Sequence, residues 1–495
     1  MSVILNGNSL SPQQLTEIAS GEQVAVDPQA MALVVSARQV VMRALERGDK
    51  VYGLTTGLGS RVSETLSADA LREFSYQTLR GRAHAIGAPL PVTMVRAAMA
   101  VRLNTFLKGA AGVDPPIVQH FVDCLNIGIT PVVGDIGSIG ASDLCIAATM
   151  GLSLVGEGLM TDSAGQVAAS DQVMAAAGLR PPALGPKDGL ALANHSSFSA
   201  AAMALNVIAA DNLLQAVQGA TAISMEAFVA NLSPLDPLAD HYRPQPGQQQ
   251  AAEQLRYWLQ GSWINDPANA RRLQDPLSIR NVAQVHGAAL AALSFAREAA
   301  AAEINGASDN PVVDIPQDRI ISCGAYHTPH LSIASQTLSN ALMHVSHTQV
   351  ARVASLLKAR FSGLPQYLAA PGSDSNGFAP VLKVMEALVA EISHAAGQVA
   401  VWPSVNADGA EDIQTNAPVA IKALGVVVAL AEKLCAIEMI AAAQAFELRA
   451  INDPGQRVAA LVAKVRALSA FIDRDRPLGE DIERVAAAIA AAELP

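Results

Sequence analysis

Two stretches hold residues whose types and spacing could do chemistry. The first is GDIGSIGASDLCIAATMGLSLVGEG, residues 134–158. Gly134, Gly137 and Gly140 leave the backbone unhindered, as is needed where a chain takes unusual dihedrals or comes close to a ligand. Ala141-Ser142-Asp143 then opens an apolar run from Leu144 to Val155. Ser142 and Asp143 have the side chains of helix caps, which accept orphan N–H groups at a helix start. By residue type alone this is a glycine-rich loop feeding a buried helix. The second stretch is Val51-Tyr52-Gly53-Leu54-Thr55-Thr56-Gly57-Leu58-Gly59, a loop with one tyrosine among glycines and threonines. An ionised tyrosine is a base. A free tyrosine titrates near pH 10, and bringing one to about 7 takes roughly 4 kcal/mol of differential stabilisation. A nearby cation or a helix N-terminus can contribute much of that.

The elements that must position these groups read as helices. The chain has 495 residues, 51% apolar and only 4% aromatic. That composition, with long alanine-rich runs, points to packed helices rather than a β-sandwich. The length allows about three domains. An amphipathic helix spans Asp27 to Arg47, and residues 68–130 are helical with Arg82, His84, Arg96, Arg102 and Asn104 among apolar positions. Ala168 to Pro186 is loop-like. Residues 199–232 form one long apolar helix carrying Glu226, and a polar region follows from Leu235 to Gln250. A short strand-like piece ends at Ser322. From His330 the chain is mostly helix, broken at Leu364-Pro365, at Pro371 to Phe378 and at Trp402-Pro403, and it is alanine-rich from Val419 to Leu494. The division expected is an N-terminal domain, 1–200, holding both loops, and a central helical bundle with C-terminal helices, 201–495. Net charge is −11, which argues against nucleic acid or an anionic membrane as partner. Cys124, Cys145, Cys323 and Cys435 are widely spaced and read as buried thiols in a reducing compartment, with no metal site. No signal-peptide pattern opens the chain, and no apolar run reaches spanning length without Gly or polar breaks. The expectation is a cytoplasmic protein.

The first stretch resembles the signature of the histidine and aromatic amino-acid ammonia-lyases, close to GSVGASGDLAPLAH and ending in GEG. Gly137 to Ser142 and Gly156-Glu157-Gly158 match it. The resemblance continues in order over residues 50–450. Tyr52 lies in the family's YGxNTGFG, with Thr55 for its asparagine. Arg102-Leu103-Asn104 through Gly112 is similar to the family helix and its turn, and His84 corresponds to a family histidine near the site. Lys187 to Asn194 resembles KEGLALxN, followed here by His195. Gln274 to Arg280 resembles QDPYSLR, with Leu277 for the tyrosine. Glu303-Ile304-Asn305 and Ser308 to Pro311 resemble EINSASDNP. Gly324 and His327 survive from GGNFHG, with Tyr326 between them. Residues 371–378 resemble GLNSGF, and Glu411-Asp412 resembles QEDHVS without its histidine.

The resemblance implies an all-α fold with a central bundle of long helices, a homotetramer whose active sites draw on three subunits, and α,β-elimination of an amine from an amino acid. It makes Tyr52 the base that takes the β-proton and Arg280 the holder of the substrate carboxylate, through its planar fork. In the family an internal Ala-Ser-Gly cyclises to methylidene-imidazolone (MIO), which takes the amine. Here the glycine is missing and Asp143 follows Ser142 directly. The expectation is therefore no cofactor. A quaternary trimethylammonium needs no electrophile, because it leaves directly as trimethylamine. Within the family the pattern resembles the MIO-free ergothionase branch, which removes trimethylamine from the betaine ergothioneine to give thiourocanate. In this reading Lys383 and Glu411 bind and polarise the imidazole-2-thione ring, and His84, Asn194, His195, Asn310 and Tyr326 line the pocket. By residue type alone His84 and His195 serve equally as satisfied structural histidines, and Lys383, among Val381, Leu382, Val384 and Met385, as a solvent-face lysine. The alternative keeps MIO, formed from Ala141, Ser142 and Asp143, and deaminates histidine or an aromatic amino acid. A non-catalytic scaffold relative is a further alternative, against which the retention of Tyr52, Arg280 and Glu411 argues. The GSSxMPxKxNP signature of the fumarase/aspartase lyases is absent.

Overall fold

A computed structural model describes residues 2–56, 68–401 and 403–494. Gly57-Leu58-Gly59 of the tyrosine loop and the break at Trp402 lie outside the described residues. By contacts the chain forms two compact units. One holds Met1–Val207, Ala296–Ser335 and Val399–Lys422; the other holds Ile208–Phe295, Gln336–Gln398 and Ala423–Pro495.

The elements used below are, in chain order, helix α1 (Pro28–Arg47), α2 (Ala68–Arg80), strand β1 (Ile86–Pro89), α3 (Val92–Phe106), β2 (Gly134–Ile136), α4 (Leu144–Leu154), α5 (Ser197–Phe228), α6 (Val282–Ile304), β3 (Val312–Asp314), β4 (Arg319–Ile321), α7 (Pro329–Leu356), α8 (Val381–Ala395), β5 (Pro403–Asn406), β6 (Glu411–Ile413) and α9 (Ala417–Arg449). Among the described residues, strands occur only in sheets of two or three. The all-α expectation holds.

In the first unit, local sequence explains the start of α1. The Asp27 carboxylate accepts from the amides of Gln29 and Ala30, Pro28 opens the helix, and Gly48 closes it at φ 70°. Its inner face, Ala37, Val40 and Val41, packs with Val51, Leu54 and Val313. α3 is buried on all sides and so carries its polar groups inside. Arg102 pairs with Asp309 at 2.7 Å, both side chains nearly inaccessible. Asn104 donates to the Ile304 carbonyl at 2.9 Å and accepts from the Gly7 amide at 2.9 Å. These bonds fix the segment that carries Asn310. β1 pairs antiparallel with β2, Ile86 opposite Ile136, and so holds the chain just before the glycine-rich loop. β3–β4 and β5–β6 are small antiparallel pairs.

In the second unit the long helices are tied by one buried ion pair. Arg352 of α7 donates to Glu438 of α9 at 2.7 and 3.0 Å, and Ser224 of α5 adds a hydroxyl to the same carboxylate at 3.0 Å. Arg352 also holds the Ser278 carbonyl at 3.2 Å, fixing the short helix that ends in Arg280. One oxygen of the buried Glu226 carboxylate, Oε1, accepts from the Gly455 amide at 2.8 Å and from the Ser262 hydroxyl.

Two local expectations need adjusting. The segment 168–186 contains a short helix, Ser170–Ala176, which has a small buried face and little apolar periodicity to announce it. The polar region after Leu235 is also helical, at Pro237–Tyr242 and Pro246–Trp258. Among the described residues one helical stretch, Asp188–Phe228, is long and apolar enough by length and composition to cross a membrane. Asn206, Asp211 and Asn212 interrupt it, and it buries Gln218, Thr221, Ser224 and Glu226.

Candidate active site

A cavity of about 440 Å3 opens in the first unit, a size that suits a small amino acid. The tyrosine loop enters it because its apolar residues are anchored. Val51 and Leu54 are buried in the α1 cluster, and Thr55 clasps the turn, accepting from the Val51 amide at 2.9 Å and donating to the Asp49 carbonyl at 2.8 Å. Tyr52 lies between them, half-buried, at the cavity wall. The Thr55 that departs from the family pattern is thus a backbone clasp.

The glycine-rich loop also lines the cavity. Gly140 sits at φ 80°, and a Cβ there would run into Thr415 Oγ1, so the position demands glycine. Its carbonyl accepts from Thr328 Oγ1 at 3.1 Å and Thr415 Oγ1 at 3.2 Å. Ala141 and Ser142 line the cavity, Ser142 at φ 61°. Two consecutive amides are clamped: that of Ser142 donates to the Tyr326 carbonyl at 2.9 Å, and that of Asp143 to the His195 carbonyl at 2.8 Å.

Asp143 is the N-cap residue of α4 but makes no side-chain bond to that helix. It caps a different one. Its carboxylate accepts from the amide and hydroxyl of Ser199, at 2.8 and 2.7 Å, in the first turn of α5, and from Ser138 Oγ at 3.0 Å. Burial pushes this carboxyl up, and the hydrogen bonds of Ser199 and Ser138 pull against it. The N-terminus of a long helix favours the anion in the same way. Nearby, Glu303 is pushed up to about 7, by burial first and by the Asp143 charge second.

Glu303 yields a prediction. Its carboxyl is raised from an ordinary 4.5 to about 7, so between those values the folded chain binds the extra proton. Stability therefore falls as pH rises from about 4.5 to 7, by up to about 3 kcal/mol. Glu303→Gln mimics the neutral form. Denaturation is expected to show it matching the parent near pH 4 and exceeding it at pH 8. A gap that is constant with pH would contradict the assignment.

The remaining wall is built from loop ends. Asn194 ends the short helix Asp188–Ala193 and donates to the Asn310 carbonyl at 3.2 Å, while Asn310 Oδ1 accepts from the Cys323 amide at 2.9 Å. Tyr326 and Glu411 face the same space. Burial, then the charges of Tyr52 and Glu411, push the Tyr326 hydroxyl up, so it is a neutral donor.

Of the residues expected at the site, the cavity gathers Tyr52, Ala141, Ser142, Asn194, Asn310, Tyr326 and Glu411. Asp143 lies behind the loop, fully buried. His195 is also behind it: its Nδ1 accepts from the Ser197 amide at 3.3 Å, and burial with the Arg102 charge pushes it well below its ordinary range, so it is neutral. Its carbonyl rather than its ring serves the loop. His84 is exposed and is not among the lining residues. Arg280 and Lys383 belong to the second unit, Arg280 half-buried and Lys383 exposed on α8. Arg82, Cys145 and Asn406 are polar lining residues that the sequence did not assign to the site. A charge at an otherwise apolar position beside His84 was the one available signal for Arg82.

Comparison with known proteins agrees with this geometry. Residues 10–467 match the family described as aromatic amino acid lyase. The chain is 34% identical to a histidine ammonia-lyase from Anaeromyxobacter dehalogenans, over 98% of this chain and 97% of that one. It is similar to the crystal structure of ergothionase from Treponema denticola, in complex with desmethyl-ergothioneine sulfonic acid: 28% identity, TM-score 0.94, covering 100% of this chain and 99% of that one. Histidine ammonia-lyase from Trypanosoma cruzi aligns at 26% identity and TM-score 0.92, over 100% and 94%. With the sequence matched almost from end to end and Tyr52, the glycine-rich loop and Glu411 brought to one cavity, the chain belongs to the aromatic amino acid lyase family and is a carbon–nitrogen lyase.

Proposed function

We propose that the protein eliminates trimethylamine from a histidine-derived betaine, ergothioneine, giving thiourocanate, and that it does so without MIO. The observation that carries this reading is Asp143. Cyclisation would need its amide nitrogen to attack the Ala141 carbonyl. That amide donates to His195, and the carboxylate on the same residue is fixed by Ser199 and Ser138. The residue also carries a Cβ and a charge where the family has glycine. The loop does not fit the cyclised group, so no step is drawn through it.

The chemistry then balances on protein groups and substrate. Tyr52 takes the β-proton. The electrons of that C–H bond form the Cα–Cβ double bond, and the C–N pair leaves with neutral trimethylamine. Glu411 holds the ring N–H, so that the thione ring accepts charge during deprotonation. Asn194 and Asn310 supply amide contacts. Arg280 for the carboxylate and Lys383 for the ring are outside this chain's cavity, and in this reading neighbouring copies in a homotetramer supply them.

The second reading, MIO-dependent release of ammonia from histidine, is favoured by the relatives named histidine ammonia-lyase. One experiment separates the two. Intact mass is measured on the purified protein, followed by absorbance with ergothioneine and with histidine. An unmodified mass, with an unsaturated product from ergothioneine alone, is the expected result. A mass lower by two water molecules, with urocanate formed from histidine, would replace it with the second reading.

A further inference from the structure

In the second unit the break at 371–378 leads straight into α8, and Lys383 stands exposed in the first turn of that helix, its amide donating to the Pro380 carbonyl at 3.1 Å. The inner end of the break is fixed by packing. Phe378 is buried, its amide donates to the Tyr367 carbonyl at 2.9 Å, and a Cβ on Gly377 would run into that same carbonyl. Pro371 to Asp374 are exposed, so packing does not fix the rest.

A single distant carboxylate does. Oδ1 of Asp475 accepts from the Ser375 hydroxyl and from the Asn376 amide at 3.0 Å; Oδ2 accepts from that amide at 3.0 Å and from Asn376 Nδ2 at 2.8 Å. Ser375 Oγ in turn accepts from the Gly377 amide at 3.0 Å. Bonds to a charged acceptor are roughly twice as strong as neutral ones. The Ser375 bond first, then those of Asn376, hold the Asp475 carboxyl down to about 2, so it is an anion at working pH. Its mount is firm. Asp475 lies between the helices Gln456–Leu468 and Gly479–Ala490. Buried Gln444 of α9 accepts from the Ile472 amide at 3.0 Å and donates to the Ile472 carbonyl at 2.9 Å and the Leu368 carbonyl at 3.4 Å. Arg476 pairs with Asp481 at 2.7 Å. One glutamine thus ties down both sides of the contact.

We propose that Asp475 is a positioning residue for Lys383: its carboxylate latches the loop before α8 and so fixes the turn from which Lys383 meets the substrate ring in a neighbouring copy. The inference rests on the ring role given to Lys383 above. Asp475 touches no substrate and acts through Lys383.

The test compares the parent, Asp475→Asn, Lys383→Ala and the double variant as assembled enzymes. It reads kcat and KM for ergothioneine, melting, and deuterium exchange over residues 373–378. In Asp475→Asn one accepting oxygen becomes a donor facing the donors of Asn376. Exchange over the loop is expected to quicken while melting stays close to the parent, because exposed contacts contribute little to stability. kcat is expected to fall about ten- to a hundredfold, the cost of a slightly misplaced group. KM changes less, since the ring contact strengthens as the β-proton leaves. In the Lys383→Ala background the Asp475→Asn change costs nothing further. An unchanged kcat or unchanged exchange in Asp475→Asn overturns the proposal. So does an equal further loss in the Lys383→Ala background, which would make Asp475 a purely structural residue. Full activity in Lys383→Ala, or a parent inert on ergothioneine, fails the earlier reading and takes the proposal with it; both show in proteins whose Asp475 is intact.

Discussion

Tyr52→Phe is expected to lower the elimination rate about a hundred- to ten-thousand-fold, the usual contribution of a positioned proton acceptor. The ring stays and only the hydroxyl goes. The packing of Val51 and Leu54 and the Thr55 clasp, which hold the loop, are untouched. Melting should therefore match the parent, and KM should change little, because the lost interaction is made in the transition state. The measurement is product absorbance under saturating ergothioneine, with circular dichroism as the check on folding. A variant within threefold of the parent would exclude Tyr52 as the base, and the proton would then have to go elsewhere in the cavity.

The largest effect on stability should come from Glu438→Ala. Arg352 and Glu438 are both wholly inaccessible, and the carboxylate takes two guanidinium bonds and the Ser224 hydroxyl. Truncating it strands an arginine inside the helix bundle, a loss of about 3–5 kcal/mol. The double variant Glu438→Ala with Arg352→Met removes both charges and should recover much of that loss. Denaturant titration of the three proteins tests this. A single variant within about 1 kcal/mol of the parent would mean that water reaches the pair.

How far these features could be read beforehand depends on the range of the interaction. Helix α1 was legible because its signals are adjacent: Asp27 and Pro28 at one end, Gly48 at the other. The long apolar helices were legible because their burial is written in composition. The family motifs named Tyr52, Asn194, Asn310 and Glu411, and these meet in one cavity. What could not be read was which helix a cap serves. Asp143 stands before α4, yet its carboxylate turns to Ser199 on α5, and only the folded chain brings the two together. His195 likewise offered a polar ring by sequence, and contributes a carbonyl in the fold. Arg82 lines one cavity with Tyr52 and Glu411, and a meeting of segments so far apart leaves no local pattern.

The two clamped amides of the glycine-rich loop carry an evolutionary consequence. Ser142 and Asp143 are each pinned through their own N–H, one to Tyr326 and the next to His195. An inserted residue adds about 3.8 Å of chain between consecutive Cα atoms. No slack exists to absorb that length unless one of the pins is released, and releasing the second also disturbs the residue that seats α5. Restoring the family's glycine after Ser142 in a single step would thus produce a strained loop before it produced an electrophile. An insertion at this point is therefore coupled to changes at Tyr326, His195 and Asp143 together, because the same two residues hold the loop and seat the start of α5.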